Sequence, residues 1–254
     1  MPESPPAPEE YARRLLNRLE LSNVGDLAYV LKSLRLTVKE VNAATFEGAL
    51  VYRQDRSKGI VLLSDKVTAP GRRRFTICHE VGHFILPGHG KASCRPSDIE
   101  SFQKNLPQQE IDANAVASEL LLPTRILHPL VRERKATITL AKEVSRSFGT
   151  SLTAAALKIV SLTEEACAFV WSESGSARWF KRNENFFGFI SLGKLDEQSI
   201  AAGLFRDGGS SIEEGEVHRE CWILGNNIDG SKRIWEESIY LSGYDAVLSI
   251  LTMI

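Results

Sequence analysis

His79, Glu80 and His83 stand within the stretch Arg73-Arg74-Phe75-Thr76-Ile77-Cys78-His79-Glu80-Val81-Gly82-His83-Phe84. Their spacing reads H-E-x-x-H, which on a helix puts two imidazoles on one face and a carboxylate beside them. Each residue advances about 100° around an α-helix, so His83 lies only ~40° from His79 and one turn further along. Both rings can therefore reach one metal ion. Glu80, ~100° from His79, flanks that ion and can hold a water rather than ligate zinc itself. Ile77, Val81, Phe84 and Ile85 make the rest of the helix apolar, so it is expected to be buried. Burying three ionisable groups is costly unless a metal compensates them.

Catalytic zinc commonly takes three protein ligands and keeps a fourth position for water. His89, six residues after His83, has the spacing of a metzincin third ligand. That pattern asks for glycine where this chain has Leu86, and for a downstream methionine turn. The only methionines are Met1 and Met253. Glu110 is the better candidate: on a helix over about 108–122 it shares a face with Asn114, Ala117 and Leu121, with Ala113 beside them. The small residues let that helix approach the first closely near Gly82. Asp112 points ~200° away from Glu110 and is expected, like Glu119, to be solvated. Asp98 and Glu100, in the intervening segment, remain open by spacing alone. Asn114 can orient a ligand from behind. His89 and His128 are the nearest candidates for an oxyanion donor.

The elements that must position these groups follow from periodicity. Residues 1–8, rich in proline, read as a disordered tail. Residues 9–21 read as an amphipathic helix with Tyr11, Leu15 and Leu19 on its stripe, and a second helix to about Lys32 is capped by Asn23. Alternation over 36–41 predicts a strand, and 48–52 and 59–63 look like two further strands, joined by a polar loop over 54–58. This small sheet can pack on the apolar back of the histidine helix, which Pro70-Gly71 introduces and Pro87-Gly88 ends. Arg72, Arg73 and Arg74 at its start read as a solvated edge, with pairing to acidic groups or to a substrate carboxylate as the other options. Residues 88–107 read as a long loop that could overhang the cleft. Helices over 138–147 and 151–160, joined at Phe148-Gly149-Thr150, resemble a helix-turn-helix. The second carries only Lys158 as a cation, which argues for packing and against direct DNA binding. From about Glu164 the pattern turns to strands, with a hairpin at Ser174-Gly175-Ser176 and a strand followed by a helix over 234–250. The tryptophans there read as strand core or as the lining of a ligand pocket.

The fold class is therefore α+β: a small sheet on the two ligand-bearing helices over 9–128, a helical segment over 129–162, and a strand-rich α/β part over 163–254. With 43% hydrophobic and 25% charged residues the composition is that of an ordinary globular protein. A formal net charge of -1 excludes a global basic field for nucleic acid. No apolar run approaches the ~18 residues of a membrane span, and the first residues lack the features of a signal peptide. Cys78, Cys94, Cys167 and Cys221 are too dispersed for a disulfide framework and read as reduced thiols, so a cytoplasmic location is expected.

Arg-x-Phe-Thr before His79-Glu80-Val81-Gly82-His83, followed by Glu110-x-x-Ala113-Asn114-x-x-Ala117-x-x-Leu120-Leu121-x-Pro123, resembles the ImmA/IrrE family of metallo-endopeptidases. The similarity is strong over about 30–125 and looser to about 160. It implies zinc held by His79, His83 and Glu110, with Glu80 as the catalytic carboxylate; manganese or iron also suits such donors. It implies a cytosolic enzyme that cleaves helix-turn-helix repressors of the XRE/Cro-CI type, releasing stress-response or mobile-element genes. Some members carry a C-terminal GAF-like sensor, and residues 163–254 are long enough for one. The rival reading is a non-proteolytic metal-binding regulator or sensor that acts through protein or DNA binding.

Overall fold

In a computed structural model of the 254-residue chain, residues 5–90, 93–94, 106–224 and 233–254 are described. The chain divides into two compact units, one formed by residues up to Ile126 together with Arg146–Ser151, the other by Leu127–Ser145 and Leu152–Ile254. The architecture is α+β, with eight α-helices among the described residues.

The first unit opens with α1 (Pro8–Arg18) and α2 (Leu27–Ser33). Pro8 stands in the first turn of α1, where its missing N–H costs nothing. Residues 1–4 of the expected tail lie outside the described residues. Ala12, Leu15 and Leu16 are the buried residues of α1, so its apolar stripe is rotated from the one through Tyr11 and Leu19. Asp26, not Asn23, caps α2: its carboxylate accepts from the Tyr29 N–H at 3.0 Å.

Strands β1 (Leu36–Val41), β2 (Gly48–Tyr52) and β3 (Gly59–Ser64) then join the two-residue β4 (Ser93–Cys94) in a sheet of order β1-β3-β2-β4. The hairpin β2–β3 is antiparallel and β1 runs parallel to β3. The rest of the loop expected over 88–107 lies, from 91 to 105, outside the described residues. Helix α3 (Pro70–Ile85) carries the H-E-x-x-H stretch and buries every residue from Cys78 to Phe84. Its three arginines are not a solvated edge. Arg72 pairs with Glu47 at 2.8 Å, Arg73 with Glu40, and Arg74 donates to the Val24 carbonyl. These contacts offset the misfit of positive charge with a helix N-terminus.

Helix α4 (Gln108–Leu121) packs against α3. A Cβ built on Gly82 would stand 3.0 Å from both the Cα and the carbonyl oxygen of Ala113, so the two backbones approach too closely for a methyl group to enter without shifting them. Glu119 is fully buried rather than solvated. Its carboxylate accepts from the backbone N–H and hydroxyl of Thr124 at 3.1 and 2.6 Å, which caps the start of α5 (Thr124–Arg132).

The second unit contains a six-stranded antiparallel sheet built from β5 (Cys167–Glu173), β6 (Ser176–Arg182), β8 (Gly193–Lys194), β9 (Ile212–His218), β11 (Arg233–Leu241) and β12 (Ala246–Met253). Its order is β8-β6-β5-β12-β11-β9, and β7 (Phe189–Ile190) pairs separately with β10 (Ile223–Leu224). Ser174 and Gly175, both at positive φ, form the tight turn between β5 and β6. Residues 246–253 form a strand where a helix was expected: they alternate poorly because both faces of a central strand are buried. The sequence-based expectation also lacked α5 and α8 (Ile200–Asp207).

Helix α6 (Ile138–Phe148) and helix α7 (Leu152–Leu162) occupy the positions of the expected helix-turn-helix-like pair, and α7, whose buried residues are Ala155, Ala156, Ile159 and Val160, packs on β5 and β6. That is the packing role expected of it. Successive residues of β11 point to opposite faces, and each serves a helix whose first turn has no acid of its own. Glu236 accepts from the N–H groups of Ile200 and Ala201 at the start of α8 and from the Trp222 indole at 2.7 Å. Glu237 accepts from the Ile138 N–H at the start of α6. Burial pushes the Glu236 carboxyl up, against the pull of these hydrogen bonds. Among the described residues no helix is long and apolar enough to cross a membrane.

Because the atoms facing Gly82 are backbone, Gly82→Ala must part α3 and α4 here by a few tenths of an ångström. We expect it to destabilise the first unit by about 1–3 kcal/mol, read from urea unfolding of the purified protein. An unchanged midpoint would show that α3 and α4 do not depend on this contact.

Candidate metal centre

His79 and His83 project from α3 and Glu110 from the first turn of α4. The Nε2 atoms of the two histidines are 3.0 Å apart, and Oε2 of Glu110 is 3.1 Å from Nε2 of His79 and 3.4 Å from that of His83. One potential ligand atom from each residue thus converges on one point, with both imidazoles buried and Glu110 half-buried. Behind His79, Nδ1 lies 2.9 Å from Oδ1 of Asn114, one turn beyond Glu110. An amide oxygen only accepts, so Nδ1 carries the proton and Nε2 offers its lone pair to the cluster.

That arrangement has an electrostatic consequence. Lone pairs of Nε2 and of a carboxylate oxygen repel at 3.1 Å unless a proton or a cation lies between them. Bonds of about 2.0–2.1 Å to a tetrahedral cation require ligand separations of about 3.3–3.4 Å. The observed 3.0–3.4 Å is close to that set, and two imidazoles with one carboxylate suit zinc and its first-row neighbours. The donor set fits a divalent metal. With no cation between them, the same atoms can instead share protons: burial opposes the charge on Glu110, but hydrogen bonds from protonated His79 and His83 and their positive charge hold its carboxyl at about 2.

Glu80 is fully buried on α3, and the start of β2 passes directly over it. A Cβ built on Gly48 would lie 2.6 Å from Oε1 of Glu80 and 2.7 Å from Cγ2 of Thr76. A methyl group here would have to push the Glu80 carboxylate and the Thr76 side chain aside. The chemical role of Gly48 escapes the sequence-based reading, although a glycine in a strand already signals a close approach.

Both ring nitrogens of His89, a candidate oxyanion donor, are turned to neighbouring side chains. Its Nδ1 lies 3.0 Å from Nδ1 of His83, and its Nε2 is 3.8 Å from Asp112. Asp112 is accordingly half-buried beside His89 rather than solvated away from the site, and Gln108 donates to it at 2.7 Å. Burial lowers the His89 pKa, helped by His83 and by Arg56 and opposed by Asp112 and Glu110. His128 is exposed on α5 and belongs to the second unit. Asp98 and Glu100 lie outside the described residues. Cys78, Cys167 and Cys221 are free thiols; burial pushes Cys78, next to His79, up to about 12. The side chain of Cys94 is outside the described residues.

Residues 32–160 match the family model described as the IrrE N-terminal-like domain, peptidase M78, which covers just over half of the 254-residue chain. The chain belongs to this family. Among solved structures it is similar to a Mycobacterium tuberculosis transcriptional regulator, with a TM-score of 0.61 and 16% identity, over 97% of this chain and 76% of that one. At that identity the likeness is one of fold. No curated protein matches the sequence.

Two substitutions separate the jobs of the residues around the cluster. Asn114→Ala removes the acceptor that orients His79 and should weaken zinc binding about 10–100-fold in competition with a chromophoric chelator. Gly48→Ala should leave zinc affinity near that of the unaltered protein while shifting Glu80. The same titration checks this: a large affinity loss in Gly48→Ala would mean that β2 positions the donors themselves.

Proposed function

We propose that the chain is a zinc-dependent metallo-endopeptidase in which His79, His83 and Glu110 hold the metal and Glu80 is the catalytic carboxylate. The observation that carries this reading is the convergence of two imidazole nitrogens and one carboxylate oxygen, with a buried glutamate, the residue after His79 on α3, lying under Gly48. Membership of a peptidase family supports it. A bound zinc ion would acidify a water and polarise the scissile carbonyl.

The residues of the chain supply the rest. Asn114 fixes the tautomer of His79. Glu80, held in a water-poor setting, accepts the proton of the attacking water as its oxygen bonds to the carbonyl carbon. When the C–N bond breaks, Glu80 returns that proton to the leaving amine, so each turnover leaves the carboxylate as it began. The substrate we propose is a helix-turn-helix repressor of the XRE/Cro-CI type in the cytoplasm, whose cleavage derepresses stress-response or mobile-element genes. The second unit then serves as a sensor, GAF-like in the family's manner.

A regulator that binds metal without cleaving is the second reading, favoured by the fold likeness to a protein titled a transcriptional regulator. The two part on one gel. Incubated with zinc and a candidate repressor, the chain should cut it, a chelator should stop the cutting, and added zinc should restore it. Glu80→Gln should keep its zinc and cut at least about 10²–10⁴-fold more slowly. A repressor held intact by the zinc-loaded protein, or undiminished cutting by Glu80→Gln, would contradict the proposal.

A further inference from the structure

His89 is the one buried histidine outside the three-donor cluster among the described residues. Its backbone is held with unusual care for a residue beyond a helix end. The Tyr52 hydroxyl and Nη2 of Arg56 both donate to the His89 carbonyl, each at 2.7 Å. The same guanidinium donates to the carbonyls of Phe84 and Leu86, two of the acceptors that the end of α3 leaves without helical partners. Arg56 reaches them from a left-handed backbone at φ 50°, and its guanidinium lies 5.2 Å from the centre of the Tyr52 ring. These contacts hold an L-residue in a backbone conformation it otherwise avoids. The β2–β3 hairpin therefore clamps the end of α3 and the segment that follows it.

The clamp aims one ring. With Nε2 of His83 turned to His79 and Glu110, the His83 proton belongs on Nδ1, where the neighbour at 3.0 Å is Nδ1 of His89. His89 must then present a lone pair there and carry its own proton on Nε2, the nitrogen that faces Asp112. One tautomer of each ring satisfies the whole row.

We infer that His89 is a positioning residue for the metal centre: it accepts the Nδ1 proton of His83 and so fixes the ring that offers Nε2, with Tyr52, Arg56 and Asp112 holding His89 in place. The inference rests on the metal reading above and adds to it a support for the second histidine that mirrors what Asn114 gives the first. The two imidazoles are thus oriented by different elements, one from α4 and one from the segment after α3 under the hairpin clamp.

The test uses the full chain, stripped of metal and titrated with zinc against a chromophoric chelator, with three variants. Asparagine places a carboxamide oxygen where Nδ1 of His89 stands, whereas glutamine carries it one atom further out. His89→Asn should therefore bind zinc within a few-fold of the unaltered protein, while His89→Gln and His89→Ala should bind about 10–100-fold more weakly. The absorption bands of the cobalt-loaded protein should follow the same division. If His89→Ala does not fold, the two carboxamides, equal in polarity, still decide. Equal affinity in His89→Gln and His89→Asn overturns the positioning role while leaving the metal site standing. An unaltered protein that takes up no zinc overturns both.

Discussion

The contact on which the first unit depends is the close approach of α3 and α4, where Gly82 meets the backbone of Ala113. Two helices ordinarily pack with axes 8–10 Å apart, set by the side chains between them. Removing the side chain from one partner and leaving only a methyl on the other brings the helices near the lower end of that range. Only then do Glu110, in the first turn of α4, and His79 and His83, in the last two turns of α3, put their polar atoms within 3.0–3.4 Å of each other. Side chains of ordinary size at either position would part the donors. The chemistry is a consequence of two small residues.

Bringing ionisable groups together in a buried place sets a second constraint, because each must be oriented as well as compensated. Asn114 answers for His79 and the His89 row for His83, while the Glu110 charge is held by the imidazoles it faces. Glu80 is treated differently: its neighbour is a strand that has given up a side chain at Gly48. In the second unit buried carboxylates have another use. Glu236 and Glu237 cap helix N-termini from opposite faces of β11, so their burial reports architecture rather than chemistry. Burial of an acid is thus not enough to mark a site; convergence with other donors is what separates Glu110 from Glu236.

Much of this geometry is legible in residue types and spacing. The H-E-x-x-H interval fixes the relation of His79 and His83 because helix periodicity is local, and the small residues of α4 announce the close packing and hence Glu110 as the partner. Asn114 follows by adding one turn. What sequence could not disclose depends on tertiary contacts. Asp112 and Glu119 look solvated on a helical wheel, yet His89 and Arg13 come to them from other parts of the chain. Residues 246–253 are apolar on both sides, and a central strand and a buried helix share that pattern. Arg56, in a polar loop, gives no local hint of the helix end it serves.

The central claim is that one divalent cation is shared by two histidines and one glutamate. X-ray absorption at the zinc K-edge on the zinc-loaded full chain tests it most directly. The account predicts two imidazole nitrogens and one or two further light-atom neighbours at about 2.0–2.2 Å, with no sulfur shell near 2.3 Å. A sulfur shell, a single imidazole, or a protein that returns no zinc signal after loading would contradict it.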